Sequence, residues 1–197
     1  MNYLGHIHLA HTSDTSMVGN FYGDFIKGSD LSILPIELQK GVRLHRAIDS
    51  FTDSHPIVQA LRKDFSPSIR KLSGVILDIY FDHVLCRSWQ RFSQHEMADV
   101  LETFYTQLPH YTLSDNPRLA RVTQGLLEHR WLADYQHFSA VERSLYHVES
   151  RLKNRIVFAQ QATQFLATNA SRYDDAFLAF YPDVIDYVSQ RAAAFTD

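Results

Sequence analysis

Apolar residues recur along this chain at the three-and-four spacing that predicts amphipathic helices. The longest such run covers residues 67 to about 92, where Ile69, Leu72, Ile76, Ile79, Tyr80 and Val84 form one stripe. Ser66 and Pro67 precede it as a natural N-cap and first helical residue. A second stripe of Leu38, Leu44, Ile48 and Phe51 predicts a helix from Pro35 to about Asp53. Shorter helices are predicted over residues 17–27, closed by Gly28, and over 57–65. The same spacing continues through 97–107, 118–131, a long stretch 140–169, and 173–194 with an interruption at Pro182. Residues 109–117 read as a connector. In the opening YLGHIHLAH, His8 and His11 lie one turn apart if the segment is helical, whereas His6 and His8 share a face only in a strand. No repeat, low-complexity tract or linker divides the pattern. The expectation is one all-α domain over residues 1–197, a bundle of about seven helices.

Composition adds limits rather than a direction. With 45% hydrophobic and 21% charged residues the chain reads as an ordinary globular protein. Seven glycines and six prolines are too few for a sandwich or barrel with many tight turns. A formal net charge of −3 gives no reason to expect nucleic-acid binding. No run approaches the roughly 20 apolar residues of a membrane span, and the start, MNYLGHIHLAHT, lacks the basic region of a signal peptide. Cys86 is the one cysteine, set in an apolar run where a packed thiol is expected, so a reducing, cytoplasmic setting is the expectation.

Histidines change the picture. There are 11, and six of them (His6, His8, His11, His45, His55, His83) fall within the first 83 residues. Within the helix predicted to end near Asp53, His45 and Asp49 are four apart and leave one face together. Asp24 stands among Phe21, Tyr22, Phe25 and Ile26, where a buried carboxylate needs a partner. Asp78 and Asp82 lie four apart inside the apolar run GVILDIYFDHVL, with His83 adjoining. Two carboxylates one turn apart repel unless a cation lies between them. Three helices thus each offer oxygen or nitrogen ligands, with His6 and His8 in reserve. Such a thiolate-free set in a bundle suits Mn²⁺ or Mg²⁺, and also Fe²⁺ or Zn²⁺. The expected chemistry is metal-assisted phosphoester hydrolysis. Solvated polar edges on ordinary helices account for the same residues without a metal. No P-loop, dinucleotide fingerprint, HExxH or GxSxG is present.

Four segments carry a resemblance: MNYLGHIHLAH at the start, GNFYGDFIKG at 19–28, GVRLHRAIDSFTD at 41–53 and LDIYFDHVL at 77–85. WLADY at 131–135 and FYPDV near the end fit as packing signatures. With these the chain resembles the acyl-carrier-protein phosphodiesterases, divergent relatives of the HD-domain metal phosphohydrolases. The resemblance implies hydrolysis of the phosphodiester joining 4′-phosphopantetheine to a serine of holo-acyl carrier protein, and a Mn²⁺-dependent activity. It implies Asp24 as an essential residue, then His45 and Asp49, then Asp82 and His83, although the Asp-His order at 82–83 is opposite to the HD name. Arg46 is the expected partner for charge developing on phosphorus, and His8 or His83 the expected general acid. The carrier protein is acidic, so a basic surface is expected, with Arg43, Arg46, Arg62, Lys63, Arg70, Lys71, Arg87 and Arg91 as candidates. Two rivals remain: a related phosphohydrolase acting on a nucleotide or other small phosphodiester, and a non-catalytic helical module that binds the carrier protein.

Overall fold

A computed structural model of the chain describes residues 1–111, 116–153 and 155–194. Residues 112–115, in the middle of the predicted connector, and residue 154, inside the predicted stretch 140–169, lie outside the described residues. The described chain forms ten α-helices and four short 3-10 segments, with no strand among the described residues. The helices are α1 (Tyr3–Thr12), α2 (Met17–Tyr22), α3 (Ile36–Ser54), α4 (Pro56–Asp64), α5 (Ser73–Arg87), α6 (Met97–Gln107), α7 (Pro117–His129), α8 (Phe138–Arg151), α9 (Ala159–Thr168) and α10 (Ala170–Ala193). One continuous hydrophobic core runs from Met1 on α1's approach to Val188 on α10.

Helix α1 lies at the centre, with Leu4 through Ala10 all buried. A helix so enclosed must find partners for its first amides within the protein. Asn2 offers no side-chain cap, and Asp82 of α5 does the work instead: its two carboxylate oxygens accept the Leu4 and Gly5 N–H groups at 2.9 Å each. Glu149, buried at the end of α8, caps α9 in the same way, accepting Phe158 N–H and Ala159 N–H. Local caps start α2, where Ser16 accepts from Gly19 N–H, and α7, where Asn116 accepts from Leu119 N–H.

The tightest contact is between α2 and α3, where Gly19 meets Gly41 backbone to backbone. A Cβ on Gly41 would lie 2.6 Å from the Gly19 carbonyl carbon, and one on Gly19 would lie 2.8 Å from Leu38 O. Only glycine at both places allows the approach.

Several predicted boundaries move. Helix α2 stops at Tyr22 rather than residue 27, because the chain turns at Gly23 and sends Phe25 back against Phe21 at 5.1 Å. The long helix starts at Ser73, not Pro67. Residues 66–69 close a turn on the Ser66 carbonyl that buries Ile69, and a 3-10 segment (Arg70–Leu72) follows. The stretch 140–169 splits into α8 and α9. Pro182, in contrast, does not interrupt α10: it sits on the exposed side, where the missing N–H costs the core nothing, while Phe177, Tyr181 and Val184 stay buried. The division into α8 and α9, together with the opening segment being helical as α1, gives ten helices among the described residues where about seven are expected.

Candidate metal centre and the cavity beside it

Helices α1, α2, α3 and α5 converge on one polar point in the core. From α3, His45 and Asp49 leave the same face, with His45 Nε2 3.1 Å from Asp49 Oδ2. From α1, His6 Nε2 lies 3.1 Å from the other oxygen, Asp49 Oδ1. The two imidazoles stack at 3.9 Å between centroids and 24° between planes. One ligand atom from each of His6, His45 and Asp49 falls within 4.8 Å of the other two, and no other group of three or more potential ligands is found among the described residues. Both histidines are nearly inaccessible, and Asp49 opens toward solvent. Gly23 makes the room: a Cβ there would run into the His45 ring.

The hydrogen bonding orients these donors inward. His6 Nδ1–H donates to Asn20 Oδ1 of α2 at 2.8 Å, which leaves the lone pair on Nε2, facing Asp49. Burial, and then the adjoining His45, push the His6 pKa down and keep the ring neutral. Burial would raise the Asp49 carboxyl, but the His45 hydrogen bond and the nearby Met1 ammonium help to outweigh it and hold the group below the usual carboxylate range. A neutral imidazole lone pair and a carboxylate oxygen at 3.1 Å repel unless something positive lies between them. The buried Nδ1 of His45 has no partner among the described residues. A compact pair of imidazoles and one carboxylate, with an oriented second hydrogen bond on His6, is a donor set that suits a divalent transition-metal ion.

The other residues expected at this site are placed differently. Asp78 is next to the cluster rather than in it: it accepts from the Met1 ammonium at 2.9 Å, which also lies 3.5 Å from Asp49. Burial disfavours that ammonium, but Asp78 and Asp49 outweigh it and raise its pKa to about 11. Asp82 is spent on the α1 cap, and burial pushes its carboxyl up to about 7 despite the two amides it accepts from. His83 turns away, its Nδ1–H donating to Tyr135 O at 2.5 Å. His8, two residues from His6, points to the far side of α1, where it accepts from Tyr181 O–H at 2.8 Å and meets the edge of Trp89. Arg46 donates to Ile26 O at 3.1 Å and so ties α3 to the loop after α2. Asp24 is half-buried within that loop, its carbonyl accepting from Arg118 at 3.5 Å. His6, held in reserve by the sequence, is therefore the third member of the cluster. Helical spacing pairs residues within one helix, and carries no signal that α1 and α3 bring their histidines face to face.

A cavity of about 570 Å³ adjoins the cluster. Met1 and Asp78 form its inner wall, and the Met1 nitrogen is the atom lying between Asp78 and Asp49. Asp24, Tyr3 and Trp131 continue the wall, and α7 and α8 close the opposite side. Four arginines from those two helices face it: Arg118, Arg121, Arg143 and Arg151. Arg118 lies over the Phe25 ring at 4.9 Å and Arg143 pairs with Asp134, while Arg121 and Arg151 make no ion pair among the described residues. Four arginines of α7 and α8 thus face the cavity. Of the arginines expected to supply a basic surface, Arg62 is paired with Asp53, Arg87 with Asp174, and Arg70 with the Phe65 and Lys63 carbonyls.

Comparison with known proteins adds a second line. The family described as acyl carrier protein phosphodiesterase matches residues 1–184. The acyl carrier protein phosphodiesterase of Klebsiella pneumoniae (strain 342) is 33% identical over 186 residues, 94% of this chain and 96% of that protein. The Yersinia pestis protein of the same name is 33% identical over 190 residues, again 94% and 96% of the two chains. The one from Escherichia coli O157:H7 is 29% identical over 197 residues, 98% of this chain and all of that one. No solved structure matches the chain.

Proposed function

The chain belongs to the acyl carrier protein phosphodiesterase family, and from that premise we propose that it hydrolyses the phosphodiester joining 4′-phosphopantetheine to a serine of holo-acyl carrier protein. The observation that carries this reading is the buried His6–His45–Asp49 cluster with an arginine-lined cavity beside it, the Met1 nitrogen lying between Asp49 and Asp78 of the cavity lining. His6, His45 and Asp49 would hold a divalent cation, with Mn²⁺ the ion we favour for a nitrogen–oxygen donor set without thiolate, and Mg²⁺ or Fe²⁺ as substitutes. Such an ion supplies Lewis acidity and charge neutralisation for phosphoryl chemistry.

The protein's own part is positioning and charge. Asn20 fixes the His6 ring so that its free nitrogen faces the cluster. Asp24, on the cavity wall near Tyr3, would take a proton from an attacking water. Arg118 of α7 lines the same cavity and carries a permanent charge to meet the negative charge that grows on the phosphoryl oxygens. Arg46, committed to the Ile26 carbonyl, holds the loop that carries Asp24. Tyr3, whose pKa burial raises to about 12, stays protonated and offers an O–H to the departing serine oxygen, a part for which His8 and His83 face the wrong way. Trapped inside the core, Cys86 plays no part. Among the described residues no helix is long and apolar enough to cross a membrane, and we place the activity in the cytoplasm, where the carrier protein of fatty acid synthesis would be met.

The test is direct. Incubated with holo-acyl carrier protein and Mn²⁺, the protein should remove the prosthetic group, seen as the corresponding mass loss of the carrier protein. Asp24→Asn should lower that rate at least a hundredfold with an unchanged helical circular-dichroism spectrum, in line with loss of a general base. Full activity after exhaustive chelation, or in Asp24→Asn, would refute the assignment. A chain that binds the carrier protein yet removes nothing would be a binding module instead.

A further inference from the structure

The cavity beside the cluster is much larger than a phosphodiester requires. Its volume, about 570 Å³, falls in the roughly 300–1,000 Å³ range of sites that enclose a whole small-molecule group. Met1 and Asp78 line it, and the Met1 nitrogen lies 3.5 Å from Asp49, so the cavity begins beside the cluster and has room for the length of a ligand whose phosphorus is there. The lining is mixed: Asp24 and Arg118 are charged, Val75, Ile79, Val122 and Trp131 are apolar, and Tyr135 and Ser144 add hydroxyls. Those two hydroxyls already form a hydrogen-bonded pair at 3.0 Å, and Tyr135 also accepts from Asn2 at 3.2 Å.

We propose that this cavity, walled by α7 and α8, is the binding site for the pantetheine arm, and that its shape selects the prosthetic group over a bare phosphodiester. The inference rests on the functional reading above and goes further by assigning the arm to residues of the second half of the chain. The arm runs from one phosphate through a dimethyl-substituted carbon, a secondary hydroxyl and two amides joined by methylene pairs to a terminal thiol. Its apolar parts match the Val75, Ile79, Val122 and Trp131 surfaces, its amides match the Tyr135 and Ser144 hydroxyls, and its phosphate lies between Arg118 and the cluster.

Gly125 permits a sharp test. It lines the cavity from the interior of α7, and a Cβ placed there meets nothing within 4 Å. Gly125→Phe therefore projects a ring into open space while replacing a helix-interior glycine with a better helix former, so the variant should fold and unfold at or above the wild-type temperature. Binding of free 4′-phosphopantetheine is measured by calorimetry on the metal-free proteins, and release from holo-acyl carrier protein on the Mn²⁺-loaded ones. The expected result is at least tenfold weaker binding by Gly125→Phe and a matching tenfold fall in kcat/KM, with most of the change in KM. Folded Gly125→Phe that binds and turns over like the wild type overturns the cavity assignment and leaves the functional reading standing. Wild-type protein that binds 4′-phosphopantetheine but releases none from the carrier protein overturns the functional reading and leaves the cavity assignment standing. Wild-type protein that does not bind 4′-phosphopantetheine overturns the cavity assignment.

Discussion

At the scale of single residues, the site depends on groups that a helical wheel does not distinguish. His6 and His8 are neighbours on one buried helix and do opposite things: His6 faces the cluster, held by Asn20, while His8 is a core residue held by Tyr181. Removing the Asn20 support should loosen the His6 ring. Asn20→Ala is expected to weaken Mn²⁺ binding by about 10–100-fold, the usual range for a lost second hydrogen bond on a ligand histidine, and titration calorimetry would read it. His8 predicts a pH effect on stability. Burial, aided by His11, pushes its pKa down to about 4, against about 6.5 in an unfolded chain. The ring is neutral when folded, so its contribution is complete above pH 6.5 and is lost as pH falls toward 4, because the unfolded state takes up the proton first. The stability advantage of the wild type over His8→Gln should therefore shrink by about 3 kcal/mol between pH 7.5 and pH 4, measured by urea unfolding of the metal-free proteins. A constant difference across that range would mean that His8 is not held neutral.

Among the helices, function follows from two crossings. The first is the α2–α3 contact, where Gly19 and Gly41 bring the backbones together and thereby set His45 against His6. Gly41→Ala forces a methyl to within 2.6 Å of the Gly19 carbonyl carbon. The two helices must separate, at a cost of about 1–3 kcal/mol for an overpacked core. Thermal unfolding should show the loss, and Mn²⁺ affinity should fall with it although no ligand has changed. The second crossing is between α1 and α5, where Asp82 caps the amides of Leu4 and Gly5. This explains an acidic residue in the midst of an apolar helix without making it a metal ligand. Sequence spacing read Asp78 and Asp82 as a carboxylate pair sharing a cation; the structure gives each a separate partner. The partners are the Met1 ammonium and the positive end of α1.

Over the whole molecule, the two halves divide the work: α1, α2, α3 and α5 build the cluster, and α7 and α8 supply the charged wall facing it. An acidic carrier protein approaching that wall should be steered by its arginines. Arg121→Glu is expected to lower kcat/KM for holo-acyl carrier protein roughly three- to tenfold at low salt, and added salt should narrow the gap between variant and wild type. Equal salt dependence of the two would place the docking charge elsewhere. The all-α class, most helix positions and the His45–Asp49 pair were legible along the chain, because helical period and one-turn spacing are local properties. The turn at residues 66–69, the uninterrupted α10 and the division into α8 and α9 were not, since each depends on what the segment packs against. Equally beyond reach were the joining of His6 to His45, the use of Asp82 as a cap, and the arginine-faced cavity formed with α7 and α8. Those are long-range juxtapositions: a side chain's spacing tells which face it leaves, and only the packing of one helix on another decides what that face meets.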